Sequence, residues 1–189
     1  MSNPSTPSTG EHSVIVSGFG GQGTLFAGQL LAYAAMEAGK EVTWFPAYGP
    51  ESRGGKARCT VIVSDEPIGA PVIRRPRSCI ALNLPSMEGF EPEVLPGGTL
   101  VVNTSLVKTR SERDDIQVLY VPATADATKL GNPRLANVIA LGALVEANGI
   151  VPLDAIIEAL RLHLPERHKK LLGLNVEAIQ HGATYAHAG

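Results

Sequence analysis

Cysteine is nearly absent from this sequence. Cys59 and Cys79 are the two present, and no C-x-x-C spacing occurs. That excludes a four-cysteine iron–sulfur cluster or a zinc ribbon held by this chain alone, because either needs more thiolates than it carries. Two separated cysteines fit buried thiols in a reducing compartment at least as well as a disulfide. Charge is scarce too: charged residues make up 18% and the net charge is −2. There is no basic excess to recruit nucleic acid or an anionic membrane. No apolar stretch reaches the roughly 18 residues of a membrane span. The start, "MSNPSTPSTGEHS", lacks the basic and apolar regions of a signal peptide, so residues 1–12 are expected to be a disordered leader. A cytoplasmic location is the resulting expectation.

Hydrophobic residues, by contrast, form 44% of the chain, and glycines number 20. At 189 residues this is one domain, 13–189, large enough for a full core. Few surface charges with many glycines fit a surface partly covered by a partner. The β-branched run "SVIVS" (13–17) predicts a buried strand. After a glycine turn, residues 24–39 predict a helix with Leu25, Phe26, Leu30, Leu31, Ala34 and Met36 on its apolar face and Gly39 as terminator. A second strand, 41–46, is expected to stop at Pro46. Further strands are predicted over 56–65, 78–83, 99–103 and 116–122, and helices over 134–149, 152–164 and about 166–181. The fold class expected is α/β: a Rossmann-like three-layer domain with a mostly parallel sheet and a helical C-terminal part.

The first turn, "GFGGQGT", satisfies two phosphate-binding patterns. Gly18, Gly20 and Gly23 give the G-x-G-x-x-G of a dinucleotide site, while Gly18, Gly23 and Thr24 give a P-loop without its lysine. The first reading lacks a ribose-binding acid: Glu41 lies at the wrong end of the second strand and Glu51 in the following loop. The second fails for nucleotide hydrolysis. A phosphate or pyrophosphate on the turn remains open beside simple strand–helix packing. Gly20 and Gly21 at the tip are expected to let backbone amides approach an anion, with positive φ, and Gln22 to offer a donor and an acceptor at the mouth. The candidate ligand-binding residues are thus Gly18, Gly20, Gly21, Gln22, Gly23 and Thr24.

A second group lies in "YGPESRGGKAR". Tyr48, Gly49, Pro50, Glu51, Arg53, Gly54 and Gly55 form a loop expected to face the glycine turn across a parallel sheet and to meet a ligand or partner, unless it is merely solvated. No Ser-His-Asp set or clustered metal-ligand spacing occurs, so no catalytic or metal residue is assigned. His163, Arg167, His168, Lys169 and Lys170 fit a solvated helix face.

Taken together, "GFGGQG", "YGPESRGG", "VIVSDEPI", "ALN", "LPGGTLVVN" and "RLANVIALGALVEANG" resemble the gamma subunit of 2-oxoacid:ferredoxin oxidoreductases, from about residue 14 to 184. The loop "YGPESRGG" is more similar to 2-oxoglutarate and 2-oxoisovalerate enzymes than to pyruvate or indolepyruvate ones. Arg77-Ser78 departs from an acid that many relatives carry before "ALN". The resemblance implies a subunit of an enzyme that decarboxylates a 2-oxoacid to an acyl-CoA. It implies alpha and beta partners, with delta in some assemblies, and ferredoxin as electron acceptor through the complex. Thiamine diphosphate, magnesium and iron–sulfur clusters are then expected in the partner subunits, with this chain on the coenzyme A side and inactive alone. From the residues themselves, a stand-alone NAD(P)-dependent oxidoreductase or a CoA- or nucleotide-binding module are the alternatives.

Overall fold

The computed structural model describes residues 10–49, 55–69 and 73–187. Six strands and six α-helices follow one another: β1 (Glu11–Phe19), α1 (Thr24–Glu37), β2 (Glu41–Tyr48), β3 (Lys56–Ser64), β4 (Ser78–Ala81), α2 (Leu84–Phe90), β5 (Thr99–Asn103), β6 (Gln117–Val121), α3 (Ala123–Lys129), α4 (Ala136–Asn148), α5 (Leu153–His163) and α6 (Leu172–Ala183). The sheet order is β2-β3-β1-β4-β5-β6. β1, β4, β5 and β6 run parallel, and β3 lies antiparallel between β1 and β2.

Alternation along β1 makes the three layers, because successive side chains point to opposite faces. Val14 and Val16 join Leu31 of α1, Leu141 and Leu144 of α4, Ile156 of α5 and Ile179 of α6 on one face. Ile15 points the other way, with Leu100, Val102 and Met87 of α2. Helices carry the first face closely because glycine removes the obstructing Cβ. A Cβ on Gly28 would overlap the Cys59 sulfur on β3, and Cβ atoms on Gly142 and Gly182 would overlap carbonyls of the facing helix between α4 and α6.

The expected fold class holds, with local differences. β2 does not stop at Pro46 but runs on to Tyr48, with Pro46 paired opposite Cys59. Proline is tolerated because β2 is an edge strand and its missing N–H need not enter the ladder. Met36 is exposed, not part of the buried face of α1. The helix expected over 134–149 opens with a 3-10 turn, Pro133–Leu135. The one near 166–181 divides into a 3-10 segment, Glu166–Leu171, and α6. α2 and α3 were not anticipated. No described helix is long and apolar enough to cross a membrane.

Candidate functional site at the glycine turn

The turn after β1 closes when Gln22 N–H donates to the Phe19 carbonyl at 3.1 Å. Gly21 and Gly23 take positive φ, 96° and 74°, where a side chain is disfavoured. Gly20 is not among the positive-φ glycines; its N–H donates to Gly55 O at 2.9 Å. Gly18 is buried, and a Cβ there would stand 2.7 Å from Gln22 Oε1. At Gly21, which is exposed, an added Cβ would meet nothing within 4 Å. α1 begins at once, with Gly23 as its N-cap and no side-chain cap. Among the described residues, the amides of Thr24, Leu25 and Phe26 donate no hydrogen bond. The positive end of α1 is therefore left facing the open tip. Thr24 itself is buried, and its carbonyl accepts from Cys59 Sγ at 3.3 Å.

Gln22 is half-buried and engages its amide within the protein. Its Oε1 accepts from Phe19 N–H at 2.6 Å and from Asn83 Nδ2 at 3.0 Å, and its Nε2 donates to Leu82 O at 3.3 Å. Gln22 thus staples the turn to the carboxyl end of β4. Asn103 Nδ2 donates to the same Leu82 carbonyl at 3.2 Å and to Thr124 Oγ1 at 2.9 Å. The carboxyl ends of β1, β4, β5 and β6 are joined into one polar rim. β1 leads to β2 on one side, while β4 leads to β5 on the other, so the turn sits where the connections change direction. That is where open α/β sheets bind ligands.

The dinucleotide geometry is not reproduced. With β3 inserted, the end of β2 lies two strand spacings from β1, roughly 10 Å, instead of beside it. Glu41 pairs with Ser64 at the opposite edge of the sheet. Glu51 lies outside the described residues, as do Pro50, Arg53 and Gly54 of the loop. Its two ends are described. Gly49 N–H donates to Lys56 O at 2.7 Å, Gly20 N–H reaches Gly55 O, and Tyr48 is 70% exposed. The loop therefore does abut the glycine turn at its base, through an antiparallel hairpin and not through parallel neighbours.

Asn137 on α4 was not singled out from the sequence. It is buried, its Nδ2 donates to Gly23 O at 2.8 Å, and a Cβ on Gly23 would overlap it. The signal lay within "RLANVIALGAL", but nothing in the spacing ties it to a turn so far back in the chain. His163 leaves the solvated face expected for it. It stacks on Tyr33 with ring centroids 3.8 Å apart and hydrogen-bonds Glu37 at 2.5 Å, joining α1 to α5. Arg167, His168, Lys169 and Lys170 are exposed. Ser78 is buried at the amino edge of the sheet, held by His12 and Asn148 at 2.8 Å each, far from the turn. Burial pushes the Cys59 thiol up to about 12 and the Cys79 thiol higher still, which leaves both protonated and unreactive.

These features define an α/β domain with an open glycine turn at its switch point, rebuilt beside that turn by an antiparallel insertion. The chain belongs to the pyruvate ferredoxin/flavodoxin oxidoreductase family, whose sequence model matches residues 13–185. It is 36% identical over 95% of its length to the ketoisovalerate oxidoreductase subunit VorA of Methanothermobacter marburgensis, and spans 37% of that relative. It is 35% identical to the 2-oxoglutarate synthase subunit KorC of the same organism, over 79% of this chain and 84% of KorC. The gamma subunit of a keto/oxoacid ferredoxin oxidoreductase from Geobacter sulfurreducens superposes with a TM-score of 0.83 at 30% identity, covering 95% of this chain and 98% of that one. A 2-oxoglutarate:ferredoxin oxidoreductase from Magnetococcus marinus, solved with 2-oxoglutarate, coenzyme A and succinyl-CoA, gives 0.86 at 26% identity, over 96% of this chain and 32% of that one. Within the family this is a chain of the gamma-subunit kind.

Proposed function

We propose that the chain works as the gamma subunit of a 2-oxoacid:ferredoxin oxidoreductase, with 2-oxoglutarate as first substrate and ketoisovalerate as the second reading. Relatives bearing each name support the two. Alpha and beta chains, with delta in some assemblies, supply thiamine diphosphate, magnesium and iron–sulfur clusters, and ferredoxin takes the electrons. This chain contributes the coenzyme A side. When bound, the coenzyme supplies the thiol that accepts the acyl group.

The observation that carries this reading is the open tip at Gly21 in the turn that leads into α1, whose first amides, of Thr24, Leu25 and Phe26, have no hydrogen-bond acceptor among the described residues. Those donors and the helix end suit a phosphate group. They need neither a ribose acid nor a P-loop lysine, and the coenzyme A bound in the Magnetococcus structure favours the same ligand. An exposed helix end stabilises an anion by only about 0.3–1 kcal/mol, so direct amide hydrogen bonds must add to it.

The test is Gly21→Val in a reconstituted complex whose assembly is checked by gel filtration. The added side chain and the positive φ it must adopt narrow the approach to the turn, so the apparent KM for coenzyme A rises. Decarboxylation with an artificial acceptor and no coenzyme changes less. A normally assembled variant with wild-type coenzyme dependence would leave the glycines a packing role alone. A lone chain that turns over a nicotinamide would instead favour the dehydrogenase alternative.

A further inference from the structure

A cavity opens on the same polar rim, at the carboxyl ends of β5 and β6 and beside α3. It holds about 390 Å³ and is lined by Thr104, Ser105, Lys108, Thr109, Arg110 and Tyr120, among others. No acidic residue lines it.

Three acceptors lining this cavity are already engaged, while several of its donors are left over. Thr104 O takes Lys108 Nζ at 2.9 Å, leaving the ammonium further protons to donate. Ser105 Oγ accepts from Ala125 N–H at 2.9 Å, and Tyr120 OH accepts from Ser111 N–H at 2.9 Å, so both hydroxyl protons stay free. Arg110 lies over the Tyr120 ring, 4.4 Å from its centroid, which holds the guanidinium in place without consuming its N–H groups. Among the described residues, neither Lys108 nor Arg110 has a carboxylate partner. The neighbouring Arg113 is the contrast: Asp115 and the carbonyls of Glu91 and Val94 occupy it.

The segment carrying these residues is anchored on both sides. Val107 and Ile116 are buried in the second face of the sheet, and Leu106 and Val107 N–H groups return to Asn103 O. Two cations and several hydroxyl donors are therefore presented from a fastened scaffold with no internal counter-charge. Such a donor-only arrangement matches a group that carries acceptors and two negative charges.

We propose that the cavity formed by Lys108, Arg110, Thr104, Ser105, Thr109 and Tyr120 is a binding site for a dianionic phosphate group, free or esterified at one oxygen. It stands on its own lining residues and does not depend on the coenzyme reading of the glycine turn. The dianion can come from free phosphate or from the 3′-phosphate of the coenzyme.

The experiment follows amide chemical shifts of the full chain by NMR at constant ionic strength. Inorganic phosphate is titrated first, against chloride as the control, and then coenzyme A against 3′-dephospho-coenzyme A. Saturable shifts are expected at Thr104–Arg110 and Ala125. They should weaken tenfold or more in Lys108→Gln and Arg110→Gln and persist in Lys170→Gln. Shifts with coenzyme A but not with its dephospho form identify the 3′-phosphate as the source; shifts with inorganic phosphate and with neither coenzyme identify free phosphate; equal shifts with both coenzymes, whose shared pyrophosphate has no dianionic phosphate, overturn the proposal. Shifts that track ionic strength alone, or that survive in the Lys108→Gln/Arg110→Gln double variant with its spectrum otherwise intact, overturn the proposal.

Discussion

Asn137 on α4 occupies the space that a side chain on Gly23 would need, and its Nδ2 holds the Gly23 carbonyl at 2.8 Å. The same carbonyl accepts from Ala27 N–H at 3.1 Å, so the start of α1 is fixed from two sides. Gly23→Ala therefore meets both backbone strain and a buried neighbour, whereas Gly21→Ala meets strain in open space. We expect the first to cost about 2–4 kcal/mol and the second about 1 kcal/mol. Chemical denaturation of both variants measures this. Equal losses would remove Asn137 from the account of the turn.

Asp126 joins α3 to α6. Its carboxylate accepts from Lys129 Nζ at 2.8 Å, from His181 Nε2 at 2.9 Å and from the Tyr185 hydroxyl. Burial pushes its pKa up, but the hydrogen bonds from Lys129, Tyr185 and His181 outweigh it and hold the group at about 2. A carboxyl lowered on folding stabilises above its usual pKa and loses that contribution as pH falls toward 2. Asp126→Asn should lower stability at pH 7 by about 1.5–3 kcal/mol. The gap from wild type should close near pH 2. A melting-temperature series from neutral to acid pH checks both statements, and a pH-independent gap would contradict them.

His12 behaves in the opposite chemical sense with the same pH direction. Burial, then the charge of Arg77, lowers its pKa to about 4, and its ring hydrogen-bonds Ser78 at 2.8 Å. The unfolded chain binds a proton near pH 6.5 that the folded chain resists until about 4. Its stabilising effect is complete above pH 6.5 and fades between there and pH 4. Allowing for the solvent that still reaches the ring, the effect is about 2 kcal/mol. His12→Gln should flatten the stability profile in that window. An unchanged slope would mean the ring is free to protonate in the fold.

Arg53 lies outside the described residues, in the segment between Gly49 and Gly55. Arg53→Ala should impair complex assembly or coenzyme-dependent turnover more than it lowers the melting temperature of the purified chain. Gel filtration of the reconstituted complex and steady-state rates give the comparison. Normal assembly with normal turnover would make the loop a solvated connection.

The strands were legible because β-branched runs such as "SVIVS" and "TLVVN" end at glycine or polar turns, a local signal. Their order was not. Nothing local distinguishes a parallel β2–β3 arrangement from an antiparallel insertion, since that depends on which edge of β1 the hairpin meets. α2 was hidden by Leu84-Pro85 and Gly89 in a seven-residue helix, and α3 by its Thr-rich, weakly helical "ATADATK". The glycine turn was legible as a motif. The residues that shape it, Asn137, Leu82 and Asn83, were not, because their contacts join distant parts of the chain and leave no periodic trace. Gln22 was noticed as unusual, but its role follows only from partners that the fold brings to it.

The β2–β3 hairpin has a further consequence. Its register is set by the pairing of Glu41–Tyr48 with Ala57–Ser64, and its mouth is fastened by the Gly49–Lys56 and Gly20–Gly55 hydrogen bonds. Neither fastening uses a side chain of the intervening residues. The hairpin is thus closed by main chain alone, and these two bonds hold the sheet's alignment whatever side chains residues 50–54 carry.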